Sequence, residues 1–209
     1  MEHKIQFLFI FNILTIISLC LCINKFITNK NFQFSPQTSL LSQSQIIYIK
    51  DEEDLLKTWL PQTNPQFTLL YSAAIDGDEP EIFHAKCDNL KPTLTLIKTT
   101  NDNRFGGYTE ATWTSPTFIE YKNDPSAFIF SINKRTFYKT SNPKRSLRCW
   151  KGWGPVFGGY SDIFAAAPFL KNKESHTTTP WTYKTKEKSE LNGGETNFLI
   201  TQMEVYLIH

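Results

Sequence analysis

His84 and Cys87 stand three apart in a stretch of helical character, a spacing that puts both side chains on one face of a helix. Such a pair is half of a metal site, or a crude base and nucleophile. Zinc needs further ligands, and a nucleophile needs a third group to orient its base. His176 lies in a polar stretch, Cys149 lies far along the chain, and no second paired ligand motif occurs. The other chemically capable cluster is acidic: Asp76, Asp78, Glu79 and Glu81. Paired carboxylates can hold calcium or move protons, but the calcium-loop pattern fails at its later positions. Beside Pro80, which suits a helix's first turn, these acids are placed to cap a helix and complement its positive end. The expectation is no catalytic, metal or cofactor site. The alternative is a redox or enzymatic thiolate at Cys87, its pKa lowered by His84.

The most informative charges are basic. No acid occurs between Pro125 and Ser161, whereas Lys134, Arg135, Lys139, Lys144, Arg145, Arg148 and Lys151 fall there, interleaved with Phe137, Tyr138, Trp150 and Trp153. Basic residues blunt exposed strand edges, and they also meet acidic protein surfaces, anionic lipids or nucleic acid. With no nucleic-acid module recognisable, a protein or lipid surface ranks above nucleic acid. Phe105-Gly106-Gly107-Tyr108-Thr109 is nearly repeated as Phe157-Gly158-Gly159-Tyr160-Ser161. Phosphate binding would need a helix opening just after the glycines, and neither stretch offers one. The pattern therefore predicts bulges or close backbone approach, with aromatic rings covering the gaps.

The elements that must position these residues are short. Leu55, Leu56, Trp59 and Leu60 form the apolar face of a helix led by Asp51 to Asp54 and stopped by Pro61, expected to dock on the domain. Strands are expected at Phe67 to Tyr71, Thr93 to Thr99, Ala127 to Ile132 and Asn197 to Ile200, with the alternation in 93–99 indicating a half-buried strand, and a helix is expected through Phe83 and Cys87. Turn residues at 101–103, 123–125, 141–143 and 192–194 punctuate the intervals. Many short strands separated this way imply a mainly β sandwich or barrel-like sheet rather than a parallel α/β fold. The chain of 209 residues is 40% hydrophobic with 17 Phe, 8 Tyr and 5 Trp, enough apolar surface for one ordinary core. A net charge of +2 gives no global pull toward any partner.

Ahead of this domain, Ile5 to Ile23 is free of charge and rich in Ile, Leu and Phe, near the length of a membrane-crossing helix. It reads as an anchor or as a cleaved signal, with Ser18-Leu19-Cys20 or Cys20-Leu21-Cys22 as the small-residue cleavage site. Residues 1–23 are thus the targeting segment, 24–45 a polar tether and 46–209 the domain. Lys25 and Lys30 follow the apolar run, which favours a cytosolic domain. None of the 14 Asn residues begins a glycosylation sequon, which leans the same way. Secretion after cleavage is the alternative, and a Cys87–Cys149 bond would favour it.

Phe67 to Tyr71, Phe83 to Asp88, Pro92 to Thr99, Phe105 to Thr109 and Trp113 occur in an order that resembles the TLDc family. Asp124 to Ser131, Gly154 to Gly159, Asp162-Ile163 and Met203 to Tyr206 resemble its later blocks, so the likeness covers 66–208. The resemblance implies a two-sheet antiparallel β-sandwich with marginal helices. It also implies a role in the oxidative-stress response or in binding and regulating the vacuolar proton-pumping ATPase, with no agreed active site to carry over. Gly106, Gly107, Gly158, Gly159, Asp162 and Glu204 are then structural motif positions. One departure stands out: the family's second glycine motif usually ends in a third glycine, where this chain has Tyr160. A positive φ there would strain a tyrosine, so the local loop must differ.

Overall fold

Apolar residues alternating along short runs, closed by turn residues, pair most directly as antiparallel strands. A computed structural model of the chain describes Leu41 and residues 44–209. The apolar stretch 5–23, expected to be an anchor or signal, lies outside the described residues, and among those described no helix is long and apolar enough to cross a membrane. The packed unit runs Ser39–His209, and Leu41 and Ser44, in the stretch read as a tether, are both buried.

The first six-stranded sheet has the order β1 (Phe67–Ser72), β12 (Ile200–Ile208), β2 (Thr93–Thr99), β3 (Arg104–Thr109), β5 (Phe128–Ser131) and β6 (Thr136–Lys139). The second has the order β11 (Asn197–Phe198), β10 (Ser175–His176), β9 (Ile163–Phe164), β8 (Val156–Phe157), β7 (Leu147–Cys149) and β4 (Glu120–Lys122). Every pairing within them is antiparallel. The expected strand at 197–200 divides between the sheets: Asn197–Phe198 belongs to the second and Ile200 opens β12 in the first. Among the described residues three α-helices flank them: α1 (Lys50–Trp59), the single turn α2 (Ala73–Asp76) and α3 (Pro80–Cys87).

Two cores result. The inner one joins Ile97, Phe105, Ile129, Met203 and Val205 of the first sheet to Leu147, Phe157 and Ile163 of the second. An outer one covers the opposite face of the first sheet, where Leu94, Leu96, Phe128, Phe130 and Tyr206 meet Leu41, Ile46, Leu56 and Leu60. Each fully buried side chain of this size stabilises the fold by about 1.5–3 kcal/mol. Thr93–Thr99 is consequently covered on both faces rather than half-buried: α1 and the segment before it cover Leu94 and Leu96, and the threonine side that the alternation leaves for solvent is buried with Ile97 toward the inner core.

Polar groups fasten that blanket. Arg104 on β3 donates to Glu52 Oε2 at 2.8 Å and to the Ile46 carbonyl at 3.1 Å, with its guanidinium over the Tyr48 ring at 4.2 Å. Glu52 also accepts from the Tyr48 N–H at 2.9 Å. Glu204, 2% exposed on β12, accepts from Ser44 Oγ at 2.5 Å, Gln45 N–H at 2.8 Å and Tyr206 Oη at 2.9 Å. Glu52 was expected to serve the helix dipole; it lies in the first turn of α1 and is also the buried partner of Arg104.

Helix α3 begins without a side-chain cap. Of the acids before it, Asp76 instead accepts from the Ser72 N–H at 2.9 Å and pairs with Lys86 at 2.8 Å, while the Asp78 carbonyl accepts from the Phe169 N–H at 2.8 Å. The Asp76 carboxylate is thus engaged by the preceding turn and by Lys86, not by the first amides of α3.

A Cβ at Gly106 would lie on the Thr95 carbonyl oxygen of β2, which cannot move without breaking the ladder. Gly106→Ala is therefore expected to cost about 3 kcal/mol or more, read as a lower urea midpoint. Glu52 supplies a pH test. Burial raises its pKa, but hydrogen bonds from Arg104 and the Tyr48 N–H together with the Arg104 charge outweigh this and hold it below the ordinary 4.5. A lowered folded-state pKa contributes stability above the unfolded value and loses it as pH falls through the folded one. Glu52→Gln is expected to cost about 2 kcal/mol near neutrality, and the gap to the parent chain should close in urea titrations as pH falls below the carboxylate range.

Candidate functional site

The side chains best suited to chemistry are committed to the fold. His84 is 8% exposed, with Nδ1 at 2.8 Å from Asp88 Oδ1 and Nε2 at 3.2 Å from the Trp150 carbonyl. It staples α3 to the segment after β7. Cys87 is fully buried, and burial pushes its thiol well above the ordinary range, helped by the Asp88 charge. Cys149 is likewise raised by burial, and both thiols are free. A thiol held protonated is a poor nucleophile. A cleft of about 600 Å³ beside α3 is lined by Glu81, His84, Asp88, Ser115, Trp150 and Lys151. Among the described residues no group of three His, Cys, Asp or Glu side chains is placed to hold a metal.

The acid-free basic stretch divides between the two sheets. Lys134 and Arg135 turn the β5–β6 hairpin, with Lys134 Nζ at 3.6 Å from Glu190, and Lys139 ends β6. On the second sheet, Lys144 and Arg145 form a 3₁₀ turn (Pro143–Arg145) leading into β7, Arg148 points outward between buried Leu147 and Cys149, and Lys151 follows the strand. Two of the seven join a continuous surface. The Arg145 guanidinium lies over the rings of Tyr121 at 4.7 Å and Tyr160 at 5.8 Å, and Tyr160 meets Trp181 at 5.4 Å. Arg148, the cross-strand partner of Tyr121, lies over Trp153 at 4.5 Å and donates to Ser161 Oγ at 2.6 Å. Tyr121, Tyr160 and Trp181 are 41%, 57% and 58% exposed, and it is their contiguity rather than their exposure singly that marks a surface for interaction.

The second glycine motif builds this surface. Gly158 has φ +85°, and a Cβ there would strike the Asp162 carboxylate. Gly159 packs on the Arg145 side chain, where a Cβ would sit 2.9 Å from Cδ. Tyr160 keeps a backbone ordinary for L residues, and the left-handed conformation falls on Ser161, at φ 61°. The loop thus accommodates a tyrosine at its third position and projects it outward. Buried Asp162 accepts from the N–H groups of Trp181 at 3.0 Å, Thr182 at 2.9 Å and Tyr183 at 3.0 Å. Thr182 Oγ1 in turn accepts from the Gly159 N–H at 3.0 Å. One carboxylate therefore holds the segment bearing Trp181 against the loop bearing Tyr160.

A family model for the TLDc domain matches residues 34–209. The chain belongs to the TLDc domain family. Two relatives align with part of it. The GTPase-activating protein skywalker of Drosophila melanogaster is 30% identical over 116 residues, which is 54% of this chain and 19% of that protein. TBC1 domain family member 24 of Xenopus tropicalis is 32% identical over 96 residues, 43% of this chain and 17% of the relative. The chain spans under a fifth of either relative's length. Within this TLDc domain the family-motif residues have concrete tasks: Gly106 and Gly107 admit close packing, Gly158 and Gly159 shape the loop, Asp162 clamps 181–183, and Glu204 pins 44–45.

Sequence reading pointed to Arg145 and Arg148, to the glycines and to Asp162, but not to Tyr121 or Trp181, which approach them only through folding. Trp181 lies 19 residues beyond Asp162, and the backbone hydrogen bond that joins them leaves no side-chain pattern to read. Asp162→Ala removes the acceptor of three backbone amides, two of them in buried bonds, and is expected to cost about 3 kcal/mol, seen by urea unfolding, and to open a protease-sensitive site near Trp181 in the native state. Asp162→Asn, which keeps one acceptor oxygen, should lose less on both measures.

Proposed function

We propose that the chain is a non-enzymatic TLDc interaction module that binds a protein partner. The single observation that carries this reading is the contrast between committed chemistry and uncommitted surface. The His84 imidazole, the Cys87 and Cys149 thiols and the Asp76 carboxylate are buried or bonded internally, whereas Arg145, Tyr121, Tyr160 and Trp181 face outward on a rigid support. Exposed aromatic and arginine side chains are the residue types that dominate protein interfaces. The vacuolar proton-pumping ATPase, the partner implied by likeness to TLDc proteins, is the first candidate, with the oxidative-stress response as the accompanying process. Segment 5–23 holds the module at a membrane with its domain in the cytosol.

The redox alternative at Cys87 loses support because burial keeps that thiol protonated. Secretion would have gained from a Cys87–Cys149 bond, and the two are free. The GTPase-activating role in skywalker's name is not extended to this chain, which matches 19% of that protein.

A C-terminally tagged full-length chain in membrane vesicles tests the proposal. External protease should remove the tag from a full-length, membrane-bound chain, and the tagged chain should co-purify with pump subunits at low salt and less at high salt. A protected or shortened soluble product would discard the cytosolic reading, and intact cytosolic chain without pump subunits would discard that partner.

A further inference from the structure

The surface of the second sheet has a charge imbalance that its neighbours do not correct. Neither Arg145 nor Arg148 forms an ion pair among the described residues. The acids nearest in the fold are engaged elsewhere. Glu120 pairs with Lys122 at 2.7 Å and accepts from Thr114 at 3.0 Å, fully buried Asp162 serves backbone amides, and buried Asp124 accepts from Thr109 Oγ1 at 2.6 Å and Glu110 N–H at 2.7 Å. Arg145 and Arg148 are both half-buried, and Arg148 Nε is buried with no hydrogen-bond partner among the described residues. Holding cations against rings without anions is a sound arrangement when an incoming anion completes it.

We propose that Arg145 and Arg148, framed by Tyr121, Tyr160 and Trp181, form a docking surface for an extended acidic segment of a partner protein. Carboxylates of that segment meet the free edges of the guanidinium groups, and its apolar side chains lie on Tyr160 and Trp181. This rests on the interaction-module reading and names the chemistry of the segment recognised. Three observations favour a protein segment over a lipid surface. Both cations are arginines, whose planar fork matches a carboxylate in two-point contact, whereas anionic headgroups are served equally by extended lysines. They are immobilised by ring stacking and by the Ser161 hydrogen bond at 2.6 Å, which lowers the entropy lost on binding a defined ligand. Finally, β4 ends its sheet, so the surface borders an unpaired strand edge that an extended chain can line.

The test titrates the full chain in neutral detergent micelles with a fluorescent peptide of alternating Glu and Tyr, against a Lys/Tyr counterpart. The acidic peptide should bind in a salt-sensitive way and the basic one should not. Arg145→Glu and Trp181→Ala should each weaken binding at least about tenfold, and Lys139→Glu, on the other sheet, should leave it unchanged. Arg145→Lys keeps the charge without the fork and should weaken binding less than Arg145→Glu while unfolding at the parent's urea midpoint, so that loss of fold is separated from loss of the site. No binding by about 1 mM, equal binding of the two peptides, or full binding by Arg145→Glu overturns the proposal. So does displacement of the peptide by phosphatidylserine but not by phosphatidylcholine, which assigns the surface to a headgroup. Pump co-purification unaffected by Arg145→Glu would overturn this surface as the pump's site and leave the module reading standing. Peptide binding that persists where the pump fails to co-purify supports this surface and removes only that partner.

Discussion

The two sheets are locked together where Phe157 sits over Gly107. A Cβ at Gly107 would lie 2.5 Å from the Phe157 ring, so the close approach of β8 to β3 exists only because this position has no side chain. The two near-repeated glycine motifs are therefore in contact, the aromatic of the second filling the gap left by the first. Phe157 is joined directly to Gly158, and its seat fixes where the loop through Asp162 begins. From that loop follow the height of Tyr160, the packing of Gly159 on Arg145 and the clamp on Trp181. A contact in the middle of the inner core thus sets the geometry of an exposed surface.

Buried carboxylates extend this logic outward from the sheets. Asp162, Glu204 and Glu52 each fasten a segment lacking a β ladder of its own: 181–183, 44–45 and the start of α1. The partners are backbone amides, a guanidinium and, at Glu204, the Ser44 and Tyr206 hydroxyls, so each carboxylate is met by several donors. Putting charge into a dry site is costly unless every lone pair is engaged, and such sites penalise alternative packings more than they stabilise the native one. The domain thereby obtains a unique covering for the first sheet and a rigid outer face for the second. Rigidity matters to a binding surface because side chains already held in place lose little entropy when a partner arrives.

The likeness between the TLDc pattern and these contacts gives the motif a physical meaning. Its glycines and acids are spacers and clamps, and the residues presented to solvent are free to vary around them. Tyr160 shows how such variation is absorbed: the left-handed residue moves one place along to Ser161, and the aromatic side chain is delivered to the surface. His84 illustrates the converse, a chemically able side chain whose two ring nitrogens are taken by Asp88 and the Trp150 carbonyl, leaving it a structural bridge.

Much of this protein was legible in its sequence. Period-two apolar runs and turn residues determined that it would be mainly β, Pro80 marked the start of α3, and ordered short blocks identified the TLDc family, because these signals lie in residue types and their order along the chain and need no knowledge of which surfaces meet. Arg145 and Arg148 also stood out, since an acid-free stretch is visible without a fold. Tertiary structure alone decided that Thr93–Thr99 would be buried on both faces, that Asp76 would pair with Lys86 rather than cap α3, and that the seven basic residues would divide between two sheets. It alone brought Tyr121 to Arg145 and Trp181 to Tyr160. These outcomes depend on contacts between residues far apart in the chain, where burial and hydrogen-bond partners are set by which surfaces meet, and that information is carried by no local pattern.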